Sequence, residues 1–146
     1  MAFIKDIVGD RDVEFLQQED TVKTAVGIMA DKNIGALMVF NGDVLAGIFT
    51  ERDLVKRVIA PGLDPAKTKI ADVMTRKIVA IGPDETHIDA LCKMRQINAR
   101  HLPVVDGEML VGVVSIRDLL AAEIDSKEEE IKWLNAYIHY TPPGKE

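Results

Sequence analysis

A shift of 65 residues lays Thr21 to Leu54 over Thr86 to Leu119 without a gap, and 12 of the 34 pairs are identical. Among them are Ala25/Ala90, Asn33/Asn98, Gly42/Gly107, Gly47/Gly112, Arg52/Arg117 and Asp53/Asp118. Chance seldom aligns two glycines and an Arg-Asp pair in register, so the chain reads as one structural unit written twice. A unit of about 65 residues buries too little of its surface to be stable alone, and the halves are therefore expected to share a core.

Within each unit the hydrophobic period changes in the same order. Val22, Ala25, Val26, Met29 and Ala30 recur at helical spacing, and Ile88, Ala90, Leu91, Cys92 and Met94 give a blurrier copy. Asp20 or Thr21 caps the first helix, and Thr86 with Asp89 forms a variant capping box on the second. Two short apolar strands follow, Ala36 to Phe40 and Val44 to Phe49 around Asn41-Gly42, matched by Leu102 to Val105 and Met109 to Val114 around Asp106-Gly107. Such dipeptides supply the positive backbone angles of tight hairpins. Gly47 and Gly112 lie inside the return strands, where a missing side chain points to the close approach of a neighbouring element or a ligand. Val13 to Leu16 and Ile78 to Ile81 read as short lead-in strands, and Pro61-Gly62 with Asp64-Pro65 as the linker.

The composition, 47% hydrophobic and 29% charged, supports a packed core rather than disorder. A net charge of -6 disfavours non-specific nucleic-acid binding, while a local basic patch remains able to hold phosphate. There is no long uncharged apolar run and no signal-peptide core behind Met1, so no membrane span and a cytoplasmic location are expected. The single cysteine, Cys92, has no intrachain partner for a disulfide.

The repeated segment Thr50-Glu51-Arg52-Asp53 and Ser115-Ile116-Arg117-Asp118 opens a helix in each unit, and its residues carry two readings. Thr50 and Ser115 are good N-caps, with Asp53 and Asp118 three residues on to complete the cap. Alternatively the acids face a cleft and accept hydroxyl hydrogens from a sugar, while the capping hydroxyls stand beside free backbone N–H groups that hold an anion. Arg52 and Arg117 are either solvated or phosphate donors. Arg100 and His101 add donors before the Leu102 strand, where the first half has only Gly35 and Ala36, so the halves should differ in phosphate affinity.

Other chemistry is poorly supported. His87, His101, His139 and Cys92 lack metal-ligand spacing, Gly42 to Gly47 lacks the Lys-Ser/Thr of a P-loop, and no strained nucleophile turn occurs. From Glu123 to Tyr140 a further helix sets Ile124, Ile131, Leu134, Tyr137 and Ile138 near one face, which either covers the domain or pairs across a dimer. The last residues, 141–146, are expected to fray.

The doubled pattern Gly47-Ile48-Phe49-Thr50-Glu51-Arg52-Asp53 and Gly112-Val113-Val114-Ser115-Ile116-Arg117-Asp118 resembles the signature of cystathionine beta-synthase (CBS) domains. Asp72-Val73-Met74-Thr75 and Arg100 to Asp106 support the likeness, which runs from about Ile4 to Glu123. It implies an α/β (α+β) fold of tandem CBS repeats, each β-α-β-β-α, forming one pseudo-two-fold module with two clefts. The expected division is a first unit over 1–60, a linker over 61–72, a second unit over 73–122, and a C-terminal helix and tail over 123–146.

By resemblance the acids matching Asp53 and Asp118 hold ribose, and Thr50 and Ser115 contact phosphate. Lead-in residues Val13, Phe15, Ile78 and Ala80 bracket the base. Arg100 and Arg117 are expected to serve phosphate in a second cleft with His101 and Asp118, leaving the first cleft weak or vacant. The expected ligand is an adenine nucleotide (AMP, ADP, ATP or NAD(H)), with no catalytic cofactor, no metal and no turnover. A homodimer and an unidentified regulated protein are the expected partners; the rival expectation is an interaction module with vestigial clefts.

Overall fold

Each hydroxyl that precedes a helical run becomes an N-cap. Thr21 accepts the Thr24 N–H and opens α2 (Val22–Lys32), while Thr86 and Asp89 close a reciprocal capping box on α5 (His87–Ile97). Both helices stop at an asparagine in the left-handed region, Asn33 at φ 54° and Asn98 at φ 53°. The computed structural model describes residues 2–9 and 12–139 of the chain. Tyr140 and the tail expected to fray lie outside the described residues.

The hairpins form where the Gly dipeptides place them, β2 (Ala36–Asn41) with β3 (Val44–Thr50) and β4 (His101–Asp106) with β5 (Met109–Ser115), Gly42 and Gly107 both at φ +64°. Each carries a bulge at the same place, between Val39 and Phe40 and between Val104 and Val105. β1 (Phe15–Gln17) adds in parallel to β2, giving the order β1-β2-β3.

The second lead-in strand does not form; only Ile81 bridges Val104. Its one-residue contact matches Leu16 against Val39 in the first half. Prolines trim the rest. Pro103 stands where Met38 does and has no N–H to offer the lead-in segment. Pro83 stands where Gln18 does, whose N–H bonds the Phe40 carbonyl at 2.8 Å.

Short helices precede each unit, α1 (Ile4–Val8) and α4 (Ile70–Val73), and both cross to the other half. Ile4 and Val8 are buried with Ile81, Ala90, Met94, Leu102, Val104, Val114 and Leu119 in the second core. Ile70, Val73 and Met74 are buried with Leu16, Val22, Leu37, Val39 and Phe49 in the first. A third cluster joins the sheets, Ala36, Met38 and Ile48 against the partly buried Leu110 and Val113.

The crossing explains the strand glycines, because it is a neighbouring element that approaches them. A Cβ on Gly47 would stand 2.6 Å from the Thr75 carbonyl oxygen, and one on Gly112 would overlap Val8. His87 is buried beneath the N-terminal segment: the Ala2 N–H donates to its Nδ1 at 3.1 Å and its Nε2 meets the Glu123 carboxylate.

The helices after the hairpins differ. α3 (Glu51–Asp53) runs into a π-helical segment, Leu54–Ile59, whereas α6 (Ile116–Ile138) is one helix of 23 residues that continues through Glu123 without a break.

Candidate ligand-binding site

Because α1 and α4 exchange places, each helix start faces a segment of the opposite half, and two clefts result. The larger, about 770 Å³, joins Thr50, Arg52 and Asp53 to Lys77, Ile78, Val79, Arg100 and His101. The smaller, about 310 Å³, joins Ser115 and Asp118 to Asp12, Val13, Glu14, Gly35 and Ala36, with His101 on its wall as well. Both volumes fall in the range of about 300–1,000 Å³ usual for small-molecule sites.

The pairing expected from sequence is thus corrected. Arg100 shares its cleft with Asp53 and not with Asp118, since the segment before β4 faces α3 rather than the start of α6. Arg117 is exposed and lines neither cleft. Phe15 also lines neither and lies edge-on to Phe40, ring centroids 5.6 Å apart. Ala80 lies outside both; its carbonyl accepts from Lys93 Nζ at 3.0 Å.

Asp53 is 5% exposed and is both a cap and a cleft residue. Its Oδ2 accepts the Thr50 N–H at 3.0 Å and the Thr50 hydroxyl at 3.2 Å. Its Oδ1 accepts the Thr75 hydroxyl at 3.0 Å, with Arg57 Nε at 3.6 Å. A carboxylate oxygen has two lone pairs, so Oδ1 retains one for a further hydroxyl. Asp118 forms the matching cap, its Oδ2 accepting the Ser115 N–H at 2.9 Å.

The clefts are mates under the 65-residue shift but differ in the charged side chains that their described residues supply. Lys77 corresponds to Asp12, Val79 to Glu14, and Arg100 to Gly35. Arg52, Lys56, Arg57, Lys77 and Arg100 line the larger cleft against the acids Glu51 and Asp53, whereas among the described residues Asp12, Glu14 and Asp118 are the charged side chains that line the smaller. Two of the arginines are held by carbonyls: Arg52 Nη1 donates to Asn98 at 2.6 Å and Arg57 Nη1 to Met74 at 2.9 Å. Ile78, Val79, Ile97 and Pro103 supply the apolar wall.

His101 stands between them. Burial holds its imidazole below the ordinary histidine value, against the opposing pull of Glu51 and Asp118 and with the help of Arg100. Thr75, Arg57, Lys56 and Lys77 escaped the sequence reading as site residues. Lys77 against Asp12 was visible in the alignment of the halves; the crossing that makes it matter was not.

Among the described residues no group of His, Cys, Asp and Glu is arranged to hold a metal ion, and no helix is long and apolar enough to cross a membrane. The CBS domain family model matches residues 4–60 and 70–125. The chain is 32% identical over 127 residues to the CBS domain-containing protein YhcV of Bacillus subtilis, covering 87% of this chain and 89% of that one. It is 38% identical over 125 residues to the mitochondrial CBS domain-containing protein CBSX3 of Arabidopsis thaliana, covering 82% of this chain but only 61% of the plant protein. Among solved structures, the CBS domain pair of protein MJ0100, in complex with 5'-methylthioadenosine and S-adenosyl-L-methionine, superposes with a TM-score of 0.75 at 26% identity, covering 87% of this chain and 98% of that one. The chain belongs to the CBS-domain family, as a tandem pair whose two repeats fold into one α+β module.

Proposed function

We propose that the chain is a regulatory module that binds an adenine nucleotide reversibly in the Asp53 cleft and passes its occupancy to a protein partner. The observation that carries this reading is the combination, in one cleft, of a buried acid at a capped helix start, five basic side chains and an apolar wall. The remaining lone pair of Asp53 Oδ1 takes a ribose hydroxyl, Thr50 and the α3 start meet phosphate beside Lys77 and Arg100, and Ile78 with Pro103 flanks the base. Adenosine compounds bound by MJ0100 support the adenosine part.

Occupancy becomes a signal only if the ligand binds two conformations with different affinity. Both clefts share His101, and the Arg52 guanidinium ties α3 to the end of α5, so a phosphate that draws Arg52 away loosens a contact between the halves. A homodimer with an unidentified regulated protein completes the proposal, and no turnover is part of it.

Calorimetric titration of AMP, ATP, NADH and S-adenosyl-L-methionine into ligand-stripped protein tests the reading. Lys77→Ala with Arg100→Ala, both surface changes, is expected to weaken a nucleotide by about 10- to 100-fold, at roughly 1.5–3 kcal/mol for hydrogen bonds to charged groups. Unchanged affinity in that variant, or heat from none of the four, would overturn it. One observation favours the alternative of an interaction module with vestigial clefts: each acid is engaged in its own cap. That alternative requires that truncation after Glu123 abolish association while nothing titrates into the clefts.

A further inference from the structure

We infer that α6 is a self-recognition surface, through which two copies of this chain pair with their helices antiparallel about a two-fold axis at Glu129. The inference goes beyond a homodimer as such and does not rest on the nucleotide reading.

Leu120, Ile124, Lys127, Ile131, Leu134 and Ile138 are separated by four, three, four, three and four residues. This is the spacing of a coiled-coil seam. The seam lies roughly 125° round the helix from the line of Leu119, Ala122 and Ser126 that faces the body. All five apolar members are exposed, and from Lys127 to His139 every residue of the segment is exposed.

The spacing reads the same from either end, with Glu129 at its centre. Antiparallel pairing about that point sets Leu120 against Ile138 of the second copy, Ile124 against Leu134, and Lys127 against Ile131, so each layer is filled. Parallel pairing instead opposes Lys127 to Lys127 in the seam and brings Glu123 beside Glu128. Layer filling, which keeps the two Lys127 side chains out of one layer, favours the antiparallel form. At its axis Glu128 and Glu130 each come beside their own copies, and the Lys127 ammonium, which already reaches Glu123 at 3.9 Å and Glu130 at 3.4 Å, stands between them to offset that repulsion.

Two aromatic rings supply the rest of the surface. Trp133 and Tyr137, 76% and 75% exposed, continue the body-facing line of α6 past the end of its own body. The antiparallel crossing carries them over the body of the second copy. Four such rings at about 150–250 Å² each, with the aliphatic seam residues, reach the roughly 1,200–2,000 Å² of a stable interface.

The full chain in sedimentation velocity is expected to be a dimer, and Ile131→Glu with Leu134→Glu to weaken self-association by about 100-fold or more while circular dichroism and nucleotide titration stay unchanged. Orientation is read in a Cys92→Ser background. Ile124→Cys with Leu134→Cys in one chain should cross-link to a dimer under oxidation, and Ile124→Cys alone should not. A monomer at all concentrations, efficient cross-linking by Ile124→Cys alone, or a dimer indifferent to the Glu substitutions would overturn the proposal. So would a monomer that floats with phosphatidylglycerol vesicles, which would give the stripe to lipid.

Discussion

Asp53 carries a structural role and the proposed binding role on one short side chain. A short acid three residues after a hydroxyl is an ideal reciprocal cap, and the same placement leaves its second oxygen to accept from Thr75 in the lining of the larger cleft. Sequence reading left both roles open; in the structure Oδ2 completes the cap and Oδ1 accepts from Thr75, both residues lining the larger cleft. His101 is the residue whose environment makes the clearest solution prediction. Its folded pKa lies below the ordinary value of 6.5, chiefly through burial. The unfolded chain therefore binds a proton on His101 at a higher pH than the folded one does. The contribution is complete above the ordinary histidine range and is lost as pH falls from there toward the folded pKa. His101→Gln is expected to flatten that part of the stability profile in urea unfolding between neutral pH and about pH 5, leaving stability at neutral pH little changed. A profile of unaltered slope would mean that the imidazole is not held neutral.

At the scale of elements, most of the fold was legible because its punctuation is local. Capping hydroxyls, Gly turns and αL asparagines act on residues three or four positions away, so the repeat displays them twice and each copy checks the other. Asn33 and Asn98 end their helices with positive φ, which costs an alanine about 1–2 kcal/mol and a glycine almost nothing. Asn98→Ala should lower stability by about 1 kcal/mol in urea unfolding, Asn98→Gly should be close to neutral, and the Asn33 pair should behave alike. A neutral alanine would mean that the helix end relaxes out of the left-handed region. What sequence alone misjudged at this scale was a non-local matter. The lead-in segment before Gly82 has the apolar character of a strand, yet its partner offers Pro103 in place of a donor, and Pro83 removes a donor of its own. Knowing which strand would receive the segment was the condition for seeing that it could not pair.

The assembly of the whole molecule was the least legible level, because α1 and α4 are alike in character and either half could have received either helix. Their exchange decides which charges share a cleft, and hence why Lys77 and Arg100 stand opposite Asp53 while Asp12 and Glu14 stand opposite Asp118. It also interlocks the halves, since separating them uncovers Ile4 and Val8 on one side and Ile70 and Val73 on the other. Ile4→Ala, although near the N-terminus, is therefore expected to cost about 2–5 kcal/mol, as deletion of a fully buried isoleucine does. The loss should fall first on the opposite half in sequence. Hydrogen exchange should quicken in β4 and β5 more than in β2 and β3, and Ile70→Ala should give the reverse order. If Ile4→Ala instead released β2 and β3, α1 would be seated on its own half, and the placing of Lys77 and Arg100 opposite Asp53 would need another origin. With the crossing intact, urea unfolding of both variants should remain a single transition, because neither half keeps its core once the lead-in helix from the other has left.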